Sequence, residues 1–265
     1  MLTDFVRQRK KYKFNKHKDN WPEADWLCLP FNVNDPTFKI GRALGTINPE
    51  TDLLPGANRH LYAVGSGVTI TDSDGSGIAV LPLDHPLVSL GEPGIWKFSR
   101  DYVPETPTVY LNLYNNMWNT NFRYWYPGNW SSRVRLWTFT ETKDSEAKFL
   151  TTSLEARTPL LAKAATGKKG NLPAEQEGIR CSRLGVVITA FSKNFNDERK
   201  TLLRVWEQAG NSGKLSITFP PGMKFSKAQA IDIRGEKSGD IIPVVNGELN
   251  FELGKYAPAS FILSQ

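Results

Sequence analysis

The amino-acid sequence predicts an all-β protein built from antiparallel strands, and two observations indicate this fold class. Near the C-terminus, Lys214–Phe219 and Glu248–Leu253 alternate strictly between polar and apolar residues, which is the pattern of a half-buried strand. Glycine and proline, 21 and 17 of the 265 residues, occur singly between short apolar segments instead of in low-complexity tracts. Such spacing is typical of many short strands joined by turns.

The first element along the chain is a basic leader, residues 1–19. Seven Lys and Arg residues fall within the first eighteen positions, where Asp4 is the only acidic residue, and they contribute much of the net charge of +6. We expect this leader to be solvated and poorly ordered. The alternative is an arm that binds nucleic acid or another anionic surface.

Residues 20–178 are predicted to form a large antiparallel β-sandwich. Its strand signals are short apolar segments at Val68–Thr71, Gly77–Leu81, Thr108–Tyr114 and Arg133–Thr140. Between the first two segments, "TDSDGSG" (Thr71–Gly77) is expected to be a hairpin turn, because a calcium loop of the EF-hand type needs a terminal glutamate and flanking helices. A short helix is expected near residues 145–156.

Residues 179–265 are predicted to form a smaller C-terminal β-sandwich, separated from the first by a linker at Gly167–Gly178 that shows no periodicity. Asn246-Gly247 is the strongest hairpin signal, because both positions of a type I′ turn need a positive φ. The strands are expected at Gly185–Phe191, Leu202–Gln208, Lys214–Phe219, Ala230–Arg234, Ile241–Val245, Glu248–Leu253 and Ser260–Leu263.

The sequence carries no motif of known catalytic or metal-binding chemistry. Its three histidines are not spaced as a metal pair, and no G-x-S-x-G nucleophile motif occurs. Cys28 and Cys181 are too few for a disulfide framework, and we expect both to be buried thiols. No apolar run approaches the roughly eighteen residues of a membrane span. We therefore predict no catalytic residue, no metal site and no cofactor in this chain.

One stretch, "NNMWNTNFRYWYPGNW" (Asn115–Trp130), combines six aromatic rings with five asparagines. One interpretation is a packing corner, in which the rings cover the junction of two sheets and the amides satisfy loop backbone groups. The other is a carbohydrate-facing surface, because flat rings match the apolar faces of sugars and amides both donate to and accept from hydroxyls. Composition leaves both interpretations open.

The same stretch resembles a known family. "VYLNLYNNMWNTNF" (Val109–Phe122) resembles the N-N-x-W-x-T-N-F element in the C-terminal region of glycoside hydrolase family 38, the α-mannosidases and related enzymes. In the expected order, Leu53–Glu92 is similar to a segment that ends in D-x-P-L-V, "LLRVWEQAG" (Leu202–Gly210) to a late strand, and "YAPASFIL" (Tyr256–Leu263) to the terminal strand. The resemblance covers most of residues 20–265.

This resemblance implies a large mutarotase-like antiparallel β-sandwich followed by a smaller one. In the family, an N-terminal barrel with a carboxylate nucleophile and a zinc ion carries out retaining glycoside hydrolysis. Neither the nucleophile nor the zinc ligands match any residue of this chain. The resemblance therefore implies a non-catalytic C-terminal β region that partners a catalytic barrel and a mannoside-type glycan, inactive by itself, with zinc only in the catalytic domain.

The resemblance also implies the residues that bind substrate hydroxyls or brace the barrel interface. They are Asn115, Asn116, Trp118, Asn119 and Asn121, together with Asp84 and Arg59 from the upstream segment; for Asp84, a turn cap is the alternative. A second hypothesis is a freestanding carbohydrate-binding module that uses the same aromatic stretch. A third is a basic β protein that binds single-stranded nucleic acid; against it, Arg123 is the only charged residue between Asn115 and Trp130.

Overall fold

The structure, a computed structural model, describes residues 2–8, 24–43, 45–94, 98–116, 129–164, 167, 170–171 and 173–265; of residues 2–8 it describes the backbone. The described residues form antiparallel sheets with one helix, which confirms the all-β prediction. The chain divides into two compact units. The first comprises Met1–Ser145 and Thr152–Thr158, and the second comprises Glu146–Thr151 and Pro159–Gln265.

The first unit contains two antiparallel sheets. A six-stranded sheet has the order β1-β10-β7-β6-β3-β4, and a four-stranded sheet has the order β2-β9-β8-β5. The strand bounds are β1 Leu2–Gln8, β2 Ala24–Pro30, β3 Thr37–Arg42, β4 Gly45–Ile47, β5 Tyr62–Ala63, β6 Gly67–Thr71, β7 Ser76–Pro82, β8 Leu87–Leu90, β9 Thr108–Asn115 and β10 Asn129–Thr140.

The core of the first unit lies between these two sheets. The strands that contribute to it do so with the apolar residues of one face, as the period of two along a strand dictates. The six-stranded sheet supplies Phe38, Ile40, Val68, Ile70, Val80 and Val134, and the four-stranded sheet supplies Tyr62, Val88, Leu90, Val109 and Leu111, all of them buried.

The start of the chain is extended and paired. The backbone of Leu2–Gln8 runs antiparallel to β10 over its whole length, from Leu2 opposite Arg135 to Gln8 opposite Asn129. We expected residues 1–19 to be poorly ordered, whereas this segment forms a strand that supplies hydrogen-bonding partners to one edge of β10. The basic residues from Arg9 to Lys18 lie outside the described part of the chain.

The predicted hairpin turn between β6 and β7 is confirmed. The Asp72 backbone N–H donates to the Ser76 carbonyl at 2.7 Å, and the Gly75 N–H donates to the Asp72 carbonyl at 3.0 Å. Gly75 has a φ of 83°, a backbone conformation that glycine adopts without steric cost. The acidic side chains serve the turn itself, because Asp74 Oδ1 accepts the Ser76 N–H at 2.7 Å.

The predicted helix is also present, as α1 over Ser145–Arg157. Its C-terminal half is fastened to the first unit by polar contacts. The buried Ser153 hydroxyl donates to the Ser66 carbonyl at 2.7 Å. The Arg157 guanidinium donates to the Pro82 carbonyl at 2.7 Å, and burial lowers the pKa of this group.

The second unit contains an eight-stranded sheet with the order β11-β14-β17-β16-β15-β18-β13-β12. The bounds are β11 Arg180–Cys181, β12 Val186–Asn194, β13 Asp197–Glu207, β14 Gly213–Thr218, β15 Lys227–Ile231, β16 Lys237–Val245, β17 Glu248–Leu253 and β18 Pro258–Ser264. The buried core contains Leu203, Val205, Leu215, Ile217, Ala228, Leu249, Phe261 and Leu263.

Strand β16 joins the two halves of this sheet, β11-β14-β17 on one side and β15-β18-β13-β12 on the other. Its first part pairs with β15, and its end pairs with β17, with Val245 opposite Glu248. The two residues between Val245 and Glu248 are Asn246 and Gly247, and they have φ values of 52° and 77°. The predicted two-residue turn with two positive φ angles is therefore confirmed.

Both cysteines are free, and the expectation of two buried thiols is wrong for Cys28, which is exposed. Its neighbours Leu27 and Leu29 pack against the core, so the alternation of β2 places Cys28 on the opposite face. Cys181 is half-buried, and burial raises the pKa of its thiol. Within the described residues, no helix is long and apolar enough to cross a membrane.

Candidate functional site

The candidate site lies on the face of the four-stranded sheet that points away from the core. In β2 and β9, Leu27, Leu29, Val109 and Leu111 pack in the core, so the residues between them face outward. The register places Cys28 opposite Tyr110 and Trp26 opposite Asn112. We call these four residues, Trp26, Cys28, Tyr110 and Asn112, the outer-face patch.

Two aromatic rings of the outer-face patch are in edge-to-face contact. The ring centroids of Trp26 and Tyr110 lie 6.4 Å apart, with an interplanar angle of 88°. Both side chains are half-buried, so part of each ring is accessible. The pKa of Tyr110 is raised, first by its hydrogen bond with Cys28 and then by burial. Tyr110 is therefore a neutral phenol that can donate and accept a hydrogen bond.

A β-bulge interrupts the pairing of β2 and β9 at this site. Asp25 lies opposite Tyr114, and Trp26 lies opposite Asn112, so Leu113 is an extra residue without a partner in β2. The strict alternation along Val109–Tyr114 that the sequence suggests therefore breaks at Leu113. Asn112 is only 4% exposed, and its Nδ2 donates to the Asp25 carbonyl at 3.4 Å and to the Tyr114 carbonyl at 3.2 Å.

The amide of Asn112 also orients the first predicted site residue. Asn115 Nδ2 donates to Asn112 Oδ1 at 2.7 Å, and Asn115 is half-buried at the end of β9. Asn115 Oδ1 accepts no hydrogen bond within the described part of the chain, and so it is an oriented acceptor at the end of β9. The adjacent Asn116 is half-buried as well. Sequence reasoning missed Asn112, which it placed on a strand face without a role.

The central part of the motif falls outside the described part of the chain. Trp118, Asn119 and Asn121 lie outside the described residues, as do Thr120 and Phe122. The ring of Tyr114, just before the stretch, is stacked on the ring of Trp130 at its end, with centroids 5.8 Å apart and an interplanar angle of 17°. This contact joins β9 of one sheet to β10 of the other. The packing-corner interpretation therefore holds for Trp130.

Asp84 is a brace between two segments of the first unit. Its carboxylate accepts the Arg133 backbone N–H at 2.8 Å and two guanidinium N–H groups, from Nε at 3.1 Å and Nη2 at 2.8 Å. The hydrogen bond from the Arg133 side chain is the main cause that lowers the pKa of Asp84. The carboxylate thus fixes the β7–β8 connection to β10, and it does not cap its own turn.

Arg59 takes part in the fold through its backbone. Its N–H donates to the Ser99 carbonyl at 3.0 Å, and its carbonyl accepts the Tyr62 hydroxyl at 2.6 Å. Burial raises the pKa of Tyr62 to about 12. Among the described residues, no hydrogen bond or ion pair links Arg59 or Asp84 to Asn115. These three predicted positions therefore share no direct polar contact in the part of the chain that the structure describes.

His60, which the sequence analysis passed over, is a buried polar group next to Arg59. Its Nε2 lies 3.1 Å from Glu92 Oε1, and its ring stacks on Tyr102 with centroids 4.3 Å apart. Burial, followed by the charge of Glu92, raises the pKa of Tyr102 to about 12. His60 Nδ1 has no hydrogen-bond partner. No sequence signal marks His60, because its partners are 32 or more residues away.

Over the ranges that the structure describes, no three His, Cys, Asp or Glu side chains converge on a position that could hold a metal ion. The outer-face patch offers aromatic surface and a phenol, and its Asn112 forms a pair of hydrogen-bonded amides with the adjacent Asn115. Such groups recognise neutral, hydroxyl-rich ligands by stacking and hydrogen bonding.

Comparisons with known proteins show a likeness of fold. No family model and no curated protein matches this sequence. Among solved structures, a protein in glycosyl hydrolase family 38 from Enterococcus faecalis is similar with a TM-score of 0.63 and 10% identity, over 91% of this chain and 26% of that one. An α-mannosidase from Enterococcus faecalis V583 is similar with a TM-score of 0.63 and 9% identity, over 91% of this chain and 25% of that one. The chain thus spans about a quarter of their length.

Proposed function

We propose that this chain is the non-catalytic C-terminal β region of an α-mannosidase-like glycoside hydrolase. Two independent lines support the proposal. The fold is similar to that of family 38 structures over 91% of this chain but only about a quarter of theirs. The sequence resembles the family's C-terminal motifs at four places in the right order, which an accidental likeness of β-sandwiches does not explain.

Within that enzyme, the proposed role of the outer-face patch is to bind a mannoside-type glycan. The observation that carries this role is the hydrogen bond of 2.7 Å from Asn115 to the buried Asn112, which fixes an amide acceptor at the end of the strand that also carries Tyr110. An amide held in place by a buried neighbour loses little conformational entropy when it binds a hydroxyl. The partly accessible rings of Trp26 and Tyr110 supply the apolar surface on which a sugar ring stacks.

Glycan binding is tested by titrating the purified chain with an α-linked mannotriose and following the binding by calorimetry. We expect Asn115→Ala to weaken binding by about three- to tenfold, the range of one hydrogen bond of roughly 0.5–1.5 kcal/mol. The exposed Asn211, in the second unit, provides the matched control Asn211→Ala, which should bind as the unmodified chain does. Equal affinities for all three proteins would remove the outer-face patch from the proposal.

The proposal places catalysis in other parts of the enzyme. We therefore expect the chain by itself to release no product from aryl α-mannosides, with or without added zinc. Turnover that survives repurification and disappears on chelation would contradict a non-catalytic role.

A further inference from the structure

A groove opens at one end of the first unit's sandwich, apart from the outer-face patch. Its volume is about 530 Å³, within the range of roughly 300–1,000 Å³ that is usual for small-molecule sites. The lining residues come from the segment after β2, from the β6–β7 turn and from the ends of β7 and β10. They are Phe31, Asn32, Val33, Asp72, Ser76, Gly77, Ile78, Thr138, Phe139 and Thr140.

Both walls of the groove are held in place by hydrogen bonds. The Phe31 N–H donates to the Pro107 carbonyl at 3.0 Å, and the Asn34 N–H donates to Asp72 Oδ2 at 2.8 Å. The second bond ties the segment after β2 to the β6–β7 turn. On the other side, Thr138 pairs with Ile78 and Thr140 with Ser76 in the β10–β7 ladder. The groove is therefore formed before a ligand arrives.

One aromatic ring of the groove lies directly on the backbone. A Cβ atom added at Gly77 would lie 2.4 Å from Cζ of Phe139, so the ring occupies the space that any other residue at position 77 would need. Phe139 is thereby fixed against β7. Because consecutive strand residues face opposite sides of a sheet, this ring lies on the face of β10 opposite the side chains of Thr138 and Thr140.

The chemistry of the lining selects a class of ligand. Phe31, Val33, Ile78 and Phe139 are apolar, while Thr138, Thr140 and Ser76 carry hydroxyls and Asn32 carries an amide. Asp72 is the one charged residue among the ten, and none of them is cationic. The hydrogen bond from the Asn34 backbone is the first cause that lowers the pKa of Asp72, which therefore presents a carboxylate. A neutral ligand with hydroxyl donors and an apolar face fits this lining, whereas an anion does not.

We propose that the groove is a second saccharide subsite, which binds a neutral pyranose ring between Phe31 and the hydroxyls of Thr138 and Thr140. The class of ligand assigned to this subsite rests on the proposed function, but the residues of the subsite are not those of the outer-face patch. A free monosaccharide and the end of a longer glycan share this chemistry.

The experiment maps backbone amide shifts of the ¹⁵N-labelled chain by NMR during titration with methyl α-D-mannoside and, separately, with an α-linked mannotriose. We expect saturable shifts at Asn32, Asp72–Ile78 and Thr138–Thr140 with both sugars. Shifts with the mannotriose alone would identify a glycan end as the ligand. Methyl β-D-glucuronide, an anionic pyranoside, should give no saturable shifts there, and equal binding of the anion would overturn the argument from charge.

A pair of variants ties the shifts to the groove. Thr138→Val keeps the shape of an exposed strand residue and removes one hydroxyl, so affinity at the groove should fall by about three- to tenfold. Thr189→Val makes the same change at an exposed position in the second unit and should have no effect. Shifts confined to Trp26–Cys28 and Tyr110–Asn116 would overturn the groove and leave the outer-face patch standing. Shifts confined to the groove would support the groove and overturn the outer-face patch as a binding site. No shift anywhere would overturn both sites.

Discussion

Glu207 and Tyr256, 49 residues apart, are joined by a hydrogen bond of 2.7 Å from the Tyr256 backbone N–H to Glu207 Oε2. The same carboxylate accepts the Ala209 N–H at 2.9 Å and the Gly210 N–H at 3.0 Å. Glu207 is completely buried, and Tyr256 has a φ of 55°, so this side chain satisfies the backbone of two tight loops. Its role in the late strand motif is thus to hold the second unit together.

Glu207→Gln should lower the free energy of unfolding by about 1–3 kcal/mol. The amide replaces one acceptor oxygen with an NH₂ group that faces a backbone donor, so one buried N–H loses its partner. The measurement is a urea denaturation curve. Glu252→Gln, at an exposed position of β17, is the matched control and should stay within about 0.5 kcal/mol of the parent. Equal midpoints for the two variants would show that the carboxylate is not needed.

Asn112→Ala should affect both stability and glycan binding. The variant removes the hydrogen bonds from the Asn112 amide to the Asp25 and Tyr114 carbonyls at the bulge, at a cost of about 1–3 kcal/mol. It also releases Asn115, so mannotriose affinity should fall as far as it does in Asn115→Ala. A double variant with both changes should bind no more weakly than either single variant, because both remove the same oriented acceptor. Additive losses in affinity would mean that Asn112 does not act through Asn115.

The ion pair of Asp84 and Arg133 predicts a pH dependence of stability. The pKa of Asp84 is lowered in the folded protein, so its stabilising effect is present above the unfolded value of about 3.9 and is lost as the pH falls through the folded pKa. Asp84→Asn should therefore be less stable than the parent by about 1 kcal/mol near pH 7. This difference should shrink in acid. Asp240→Asn, at an exposed position, should show no difference at either pH.

Replacement of Gly94 by alanine is predicted to have a purely steric effect. A Cβ atom at this position would lie 2.5 Å from the His60 Cβ and 2.9 Å from the His60 carbonyl oxygen. Gly94→Ala should therefore displace the buried His60 and cost about 1–3 kcal/mol. A Cβ at Gly178 meets no atom within 4 Å, so Gly178→Ala is the control. Thermal unfolding measures both, and an unchanged midpoint for Gly94→Ala would show that the histidine can move at no cost.

The local parts of the fold were predictable from the sequence because they depend on neighbouring residues. The turn at Asn246-Gly247 needs only two positive φ angles, and α1 was placed within one residue at its C-terminal end. The buried role of Asn112 depends on the register of β2 against β9, which shifts at Asp25. No pattern within Val109–Tyr114 records that shift.

The candidate site shows the same limit. Asp84 was predicted to bind substrate or brace a barrel interface, and its partner Arg133 lies 49 residues away, so its bracing contact within the chain could not be read from the sequence. Asn115 was named for its amide, and its orientation comes from Asn112. The groove beside Thr138 and Thr140 depends on strands that pair over long distances, so no local sequence pattern indicates it.

The shared strand β16 has a consequence for how the second unit comes apart. Because one continuous segment pairs with β15 at its start and with β17 at its end, neither half of the sheet can lose its pairing without disturbing the other. The backbone amides at Ile241 and Ile242, opposite β15, and at Val244 and Val245, opposite β17, should exchange with solvent deuterium in the same cooperative opening. Because they share this one strand of nine residues, the eight strands of the sheet are expected to unfold in one cooperative step.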